Sequence, residues 1–266
     1  MKNGVHIFSL EGKSALITGA TGHLGSAMAT ILAEAGAHVL VNSRSGDKAG
    51  ALVNTLTDQG YSAEKAVFDV TSGDAVETFF AQRLKQPLDI LINNAYIGGA
   101  GTIELSEEAS YTASYDIAVV AAHRLVRNAL PSMRKAVQIS GEASVINICS
   151  MYAVVSPDQR VYDSASSANP PFYGAAKAAL LQWTRYAACE YGKEGIRFNA
   201  ISPGPFPSDA VQQENPSFIE ALGQKVPMGR IGSPEELKGT TLFLASSASS
   251  FVNGANIVVD GGWTAW

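Results

Sequence analysis

Residues 16–25 read LITGATGHLG: an apolar strand end runs into three glycines spaced three apart, Gly19, Gly22 and Gly25. A turn from a first strand into a first helix gathers backbone N–H groups and the positive end of the helix dipole at one point. Glycines there let an anion approach the backbone closely. The pattern predicts a pyrophosphate seat formed by Gly19, Thr21, Gly22, His23, Leu24 and Gly25. Three glycines in a tight turn also serve purely structural ends, so the surroundings decide.

Outward from this loop, apolar strand-like runs alternate with helix-length segments. SALITG, HVLVNS, AEKAVFDV, LDILINNA, SVINICS, IRFNAIS and NIVVDGG make seven strands, and the long helical stretch after LDILINNA is expected to end at Leu130. Repeated strand-helix-strand order with near-continuous apolar strands predicts a parallel sheet covered on both faces, a three-layer doubly wound α/β Rossmann fold. The 266 residues, 46% hydrophobic and 16% charged, suit one domain over residues 1–266, with a small substrate lid over about 204–228. A net charge of -5 with scattered basic residues predicts no nucleic-acid partner and no membrane surface. Cys149 and Cys189 are too few for a disulfide framework and read as core residues in a reduced, cytoplasmic compartment. No run approaches a membrane span or a signal-peptide apolar segment, and no metal site is expected.

The second strand should end at the ribose of a bound dinucleotide, where an acidic residue selects NAD. Here VLVNSRS puts Ser43 at that position with Arg44 after it, a hydroxyl and a guanidinium suited to a 2'-phosphate. NADP is the expected cofactor; NAD with a merely solvated arginine is the alternative. In NPPFYGAAKAALLQW, Tyr173 and Lys177 lie four apart on one helix face. An ammonium and a cationic nicotinamide would favour the phenolate, so Tyr173 can exchange a proton with a substrate oxygen while Ser150 holds that oxygen.

With these residues in view the chain resembles the short-chain dehydrogenase/reductase family, in its compact single-domain subgroup. The resemblance covers nearly the whole chain through TGATGHLG (18–25), FDV (68–70), NNA (93–95), Ser150, YGAAK (173–177), RFNAISPGPFPS (197–208) and NGANIVVDGG (253–262). It implies catalytic roles for Ser150, Tyr173 and Lys177, with Lys177 also on the nicotinamide ribose. It also implies adenine contacts by Asp69 and Val70, cofactor contacts by Asn93 and Ala95, and a nicotinamide cradle from Pro203, Gly204, Phe206 and Ser208.

Several positions depart from the family pattern. His23 stands where the compact subgroup usually has glycine, and either reaches a phosphate or packs at the surface. Tyr96 follows NNA in place of a common glycine, placing a ring at the pocket wall. The asparagine that many members use to anchor a water-mediated proton relay falls at Ala118. Between Ser150 and Tyr173 lies an insertion, MYAVVSPDQRVYDSASSANPPF, whose Tyr152 and Arg160 are candidate substrate contacts or solvated loop residues.

The resulting expectation is an NADP(H)-dependent oxidoreductase interconverting a secondary alcohol and a ketone on a small polar, sugar-acid or sugar-like substrate. The alternatives are an epimerase or dehydratase of a sugar nucleotide acting through transient oxidation, and a non-catalytic NADP-sensing protein. A homotetramer or homodimer is expected, its helices packing through Ala118, Ala121, Ala122, Ala175, Ala179 and Ala187.

Overall fold

The computed structural model describes residues 4–83 and 86–266. Seven parallel strands form one sheet in the order β3-β2-β1-β4-β5-β6-β7. They are β1 (Ser14–Ile17), β2 (His38–Ser43), β3 (Ala63–Val67), β4 (Ile90–Asn93), β5 (Ala143–Ile148), β6 (Ile196–Pro203) and β7 (Asn256–Val259). Consecutive side chains of a strand point to opposite faces, and the core divides accordingly. Ala15, Ile17, Val39, Val41, Ile90 and Ile92 face α1 (His23–Glu34), α2 (Gly46–Asp58) and α9 (Lys238–Ala245). Leu16, Leu40, Leu91, Val145 and Phe198 face α3 (Gly73–Ala81), α5 (Ala121–Ser140) and α6 (Pro171–Tyr191). Burial on both sides is why these strands read as apolar runs.

The chain winds outward from β1 to β3, then crosses back to β4 on the other side of β1. Such a reversal opens a crevice at the carboxyl ends of the two central strands, where ligands bind in these sheets. Between β4 and β5 run α4 (Glu108–Tyr115), a π-helical turn at Asp116–Val120 and α5. The segment 204–228, expected to form a lid, contains α7 (Asp209–Glu214) and α8 (Pro216–Lys225), and the insertion folds as three 3-10 turns at Met151–Ala153, Gln159–Val161 and Ala165–Ser167.

Three expectations need correction. The helix does not stop at Leu130: α5 runs through Pro131 to Ser140, because Ala129, Leu130, Met133 and Ala136 form a buried stripe that outweighs one lost backbone hydrogen bond. Cys149 is buried, but Cys189 is exposed on the outer side of α6. Ala118, Ala121, Ala122 and Ala187 are buried within the protomer, so their small size serves the core rather than subunit packing. Among the described residues, no helix is long and apolar enough to cross a membrane, and no cluster of three or more His, Cys, Asp or Glu is arranged to hold a metal.

Candidate active site

The glycine loop is held by two asparagines. Asn42 accepts from the Gly19 N–H at 3.3 Å and donates to the carbonyls of Ala66 and Phe68 at 2.9 and 3.1 Å, tying the turn to the ends of β2 and β3. Asn94 donates to the carbonyls of Thr18 and Gly19 at 2.9 and 3.1 Å from the opposite side. Gly19 has φ +60°, and a Cβ there would lie 3.0 Å from the Ala95 Cα. A Cβ at Gly25 would overlap the Gly19 carbonyl oxygen. Neither position accepts a side chain without moving the loop.

This loop forms one wall of a cleft of about 530 Å³. Gly19, Thr21, Gly22, His23, Leu24 and Gly25 line it together, as the motif predicts. Ser43 and Arg44 line the far end beside Ser45 and Lys48. The buried Ser43 hydroxyl lies 3.3 Å from that of Thr21 and accepts from the Ser45 N–H at 3.2 Å, so it is fixed at the N-terminus of α2. Lys48 escaped the sequence reading, although it sits in the first turn of α2, one turn beyond Arg44. Asp69 and Val70 complete this end. Burial alone would raise the Asp69 pKa, but hydrogen bonds from Thr71 and the charges of Arg44 and Arg124 hold it below the ordinary value.

The residues fit a dinucleotide. His23 Nε2 is buried with no hydrogen-bond partner, a polar atom waiting at the turn where a phosphate would sit. Arg44 and Lys48, both exposed, put two cations where a 2'-phosphate would lie.

Tyr96 lines the same cleft and leads to the reactive end, its ring standing 5.1 Å from that of Tyr173 at 73°. Ser150, immediately after β5, caps the following 3-10 turn by accepting from the Tyr152 N–H at 3.1 Å. Tyr173 and Lys177 project from one face of α6, which starts behind Pro170 and Pro171. The Lys177 ammonium donates to the Ile148 carbonyl at 2.7 Å and lies 5.9 Å from the centre of the Tyr173 ring. Burial lowers Lys177 to about 8 and pushes the Cys149 thiol beside it up to about 12. Burial also raises the Tyr173 phenol, with the Ser150 hydroxyl pulling the other way. The expectation that the neighbouring ammonium favours the phenolate is therefore outweighed, in the protein alone, by loss of water around the ring.

Other candidates stand elsewhere. Asn93, the last residue of β4, turns beneath the cleft, donating to Asn147 Oδ1 at 2.7 Å, and its neighbour Asn94 faces the loop instead. Pro203, Gly204, Phe206 and Ser208 stand apart from the residues lining the cleft. The Phe206 ring packs against Gly232 and lines a different cavity of about 350 Å³. Tyr152 is buried among Met151, Val161, Leu222 and Trp263, its hydroxyl 3.2 Å from that of Tyr162. The Arg160 side chain is 87% exposed, and its guanidinium pairs with Asp158 at 2.7 Å, directed to solvent rather than to Tyr173.

Known proteins match this chain along nearly their whole length. A family model described as enoyl-(acyl carrier protein) reductase matches residues 19–264. Gluconate 5-dehydrogenase of Gluconobacter oxydans is 33% identical over 266 residues, covering 97% of each chain. The crystal structure of a gluconate 5-dehydrogenase from Burkholderia cenocepacia, in complex with NADP and tartrate, matches with a TM-score of 0.88 at 30% identity, over 99% of this chain and 100% of that one. L-sorbose reductase from Gluconobacter frateurii, complexed with NADPH and L-sorbose, matches with a TM-score of 0.85 at 28% identity, over 97% of this chain and 98% of that one. The doubly wound sheet, the glycine turn at its switch point and these full-length matches make the chain a member of the short-chain dehydrogenase/reductase family.

Proposed function

We propose that this protein is an NADP(H)-dependent oxidoreductase that interconverts a secondary alcohol and a ketone on a small sugar acid or related sugar. The observation that carries the chemistry is the convergence of Ser150, Tyr173 and Lys177 beyond a cleft whose opposite end holds Arg44 and Lys48. Bound NADP(H) supplies or accepts a hydride at the substrate carbon. In reduction, the Ser150 hydroxyl holds the carbonyl oxygen and the Tyr173 phenol gives it a proton as hydride reaches carbon; oxidation reverses both movements. Lys177 anchors the pair from the end of β5, and Ser43, Arg44 and Lys48 receive the 2'-phosphate. The substrate class is supported by the relatives that act on gluconate and L-sorbose. One domain carries both functions, with residues 204–228 as the lid. A cytoplasmic homotetramer or homodimer is part of the same proposal, supported by the exposed Met228, Phe251, Val258 and Trp266.

The test follows absorbance of the reduced nicotinamide with 5-ketogluconate, L-sorbose and a 3-oxoacyl thioester, each with NADPH and NADH. Stoichiometric NADPH consumption with a polar ketone is expected. Product without net cofactor change would replace this function with an epimerase or dehydratase. Tight NADP binding without turnover over the whole panel would replace it with a sensor.

A further inference from the structure

Tyr96 is absent from the usual chemistry of the site, yet it touches both groups that move the proton. The Lys177 ammonium lies 4.7 Å from the centre of the Tyr96 ring, closer than its 5.9 Å to the Tyr173 ring. Both distances fall within cation–π range. The Tyr96 ring also stands nearly perpendicular to Tyr173, at 73°. Its far end is fixed: the hydroxyl lies 2.6 Å from Ser114 Oγ, and Ser114 donates to the Phe172 carbonyl at 3.1 Å. Because the Ser114 proton is committed to Phe172, Tyr96 is the donor to Ser114. Phe172 immediately precedes Tyr173, so this chain of hydrogen bonds ties Tyr96 to the first turn of the helix that carries Tyr173 and Lys177.

The π-helical turn and the start of α5 present only apolar side chains, Ile117, Ala118, Ala121 and Ala122, to the small cavity beside Lys177, whose polar lining comes from Thr18 and Asn93. A methyl at position 118 offers no hydrogen bond. The titratable groups facing the ammonium are Cys149 from the end of β5, Tyr173 from its own helix and Tyr96 from the segment after β4. Tyr96 itself is raised by burial, more than the Ser114 hydrogen bond lowers it, so it meets Lys177 as a neutral ring.

We propose that Tyr96 is a positioning residue: its ring, pinned through Ser114 to the head of α6, holds the Lys177 ammonium against Tyr173 on the side where Ala118 supplies no polar partner. It does this by a face directed at the ammonium and an edge contact with Tyr173, and it exchanges no proton with substrate. The role rests on the assignment of Tyr173 and Lys177 to proton transfer, but the contact can be measured without turnover.

The experiment titrates the Lys177 ammonium by ¹⁵N-lysine NMR in the intact ligand-free protein, with Lys177→Arg identifying the resonance. Wild type is compared with Tyr96→Leu, which removes the ring, and Tyr96→Phe, which keeps it. A cation–π contact favours the charged amine, so Tyr96→Leu should lower the Lys177 pKa by about one unit while Tyr96→Phe leaves it within about 0.3. In pH profiles the alkaline limb of kcat should move down by the same amount in Tyr96→Leu. An unchanged Lys177 titration in folded Tyr96→Leu overturns the role. If Tyr96→Leu does not fold, a shift of Lys177 in Tyr96→Phe as large as one unit overturns it instead, because the ring is then not the operative part. A raised KM with an unmoved kcat profile also overturns it, making Tyr96 a wall of the substrate pocket alone. Because the titration needs no substrate, it succeeds or fails independently of the proposed reaction.

Discussion

Lys177 offers a measurement of what the site demands of the fold. Its pKa falls from 10.5 when exposed to about 8 in the folded chain, through burial. Between these values the unfolded chain binds more protons than the folded one, so stability rises with pH across that window. Below it the folded protein holds a buried ammonium at a penalty of about 3 kcal/mol, and above it both states are neutral and the penalty is gone. Lys177→Met removes the titration and leaves the Ile148 carbonyl without its donor, an offset independent of pH. Urea denaturation of both ligand-free proteins at pH 7 and pH 10 cancels that offset and every other titration common to the two. Wild type should gain about 2 to 3 kcal/mol relative to the mutant between those two values. A difference that stays flat, or runs the other way, would refute the claim that Lys177 is held charged in a desolvated site.

Three further outcomes follow from the geometry. Tyr173→Phe removes the proposed proton donor, and kcat should fall by about 10²- to 10⁴-fold with NADPH affinity intact, read by steady-state kinetics and fluorescence titration. Arg44→Ala with Lys48→Ala removes the two cations at the start of α2, so NADPH affinity should drop by about 10- to 100-fold while NADH affinity stays level. Arg160→Ala should leave KM within about twofold, because its exposed guanidinium is paired with Asp158 rather than offered to the cleft.

The central strands were legible because burial on two faces leaves a compositional trace: LDILI and SVINI are mostly aliphatic, on both alternating faces. The end of α5 was not, since a proline inside a helix looks locally like a stop, and only the packing of Met133 and Ala136 on the sheet shows otherwise. Tyr173, Lys177 and the glycine turn were legible as spacings on single elements, a property the chain carries in its order. Asn93 and Asn94 show the limit of that method. Neighbours at a strand end face opposite ways, and the sequence alone does not say which one enters the cleft. Phe206 likewise depended on Gly232, 26 positions away, whose missing side chain lets the ring turn aside. The contact between Tyr96 and Lys177 joins residues 81 positions apart, and no local pattern announces it.

Asp158 ties the inserted segment to α8. Its carboxylate accepts from Arg160 within the insertion and from Lys225 at the end of α8, and the Lys225 ammonium also lies 5.7 Å from the centre of the Trp263 ring near the C-terminus. The Tyr162 and Phe218 rings, 5.6 Å apart, join the same two segments. Insertion and α8 are thus joined, so if the proposed lid opens by moving α8, it must carry the insertion with it or break an ion pair. Passage through such a lid would then carry a sensitivity to salt that the proposed proton transfer at the buried Tyr173 would not share.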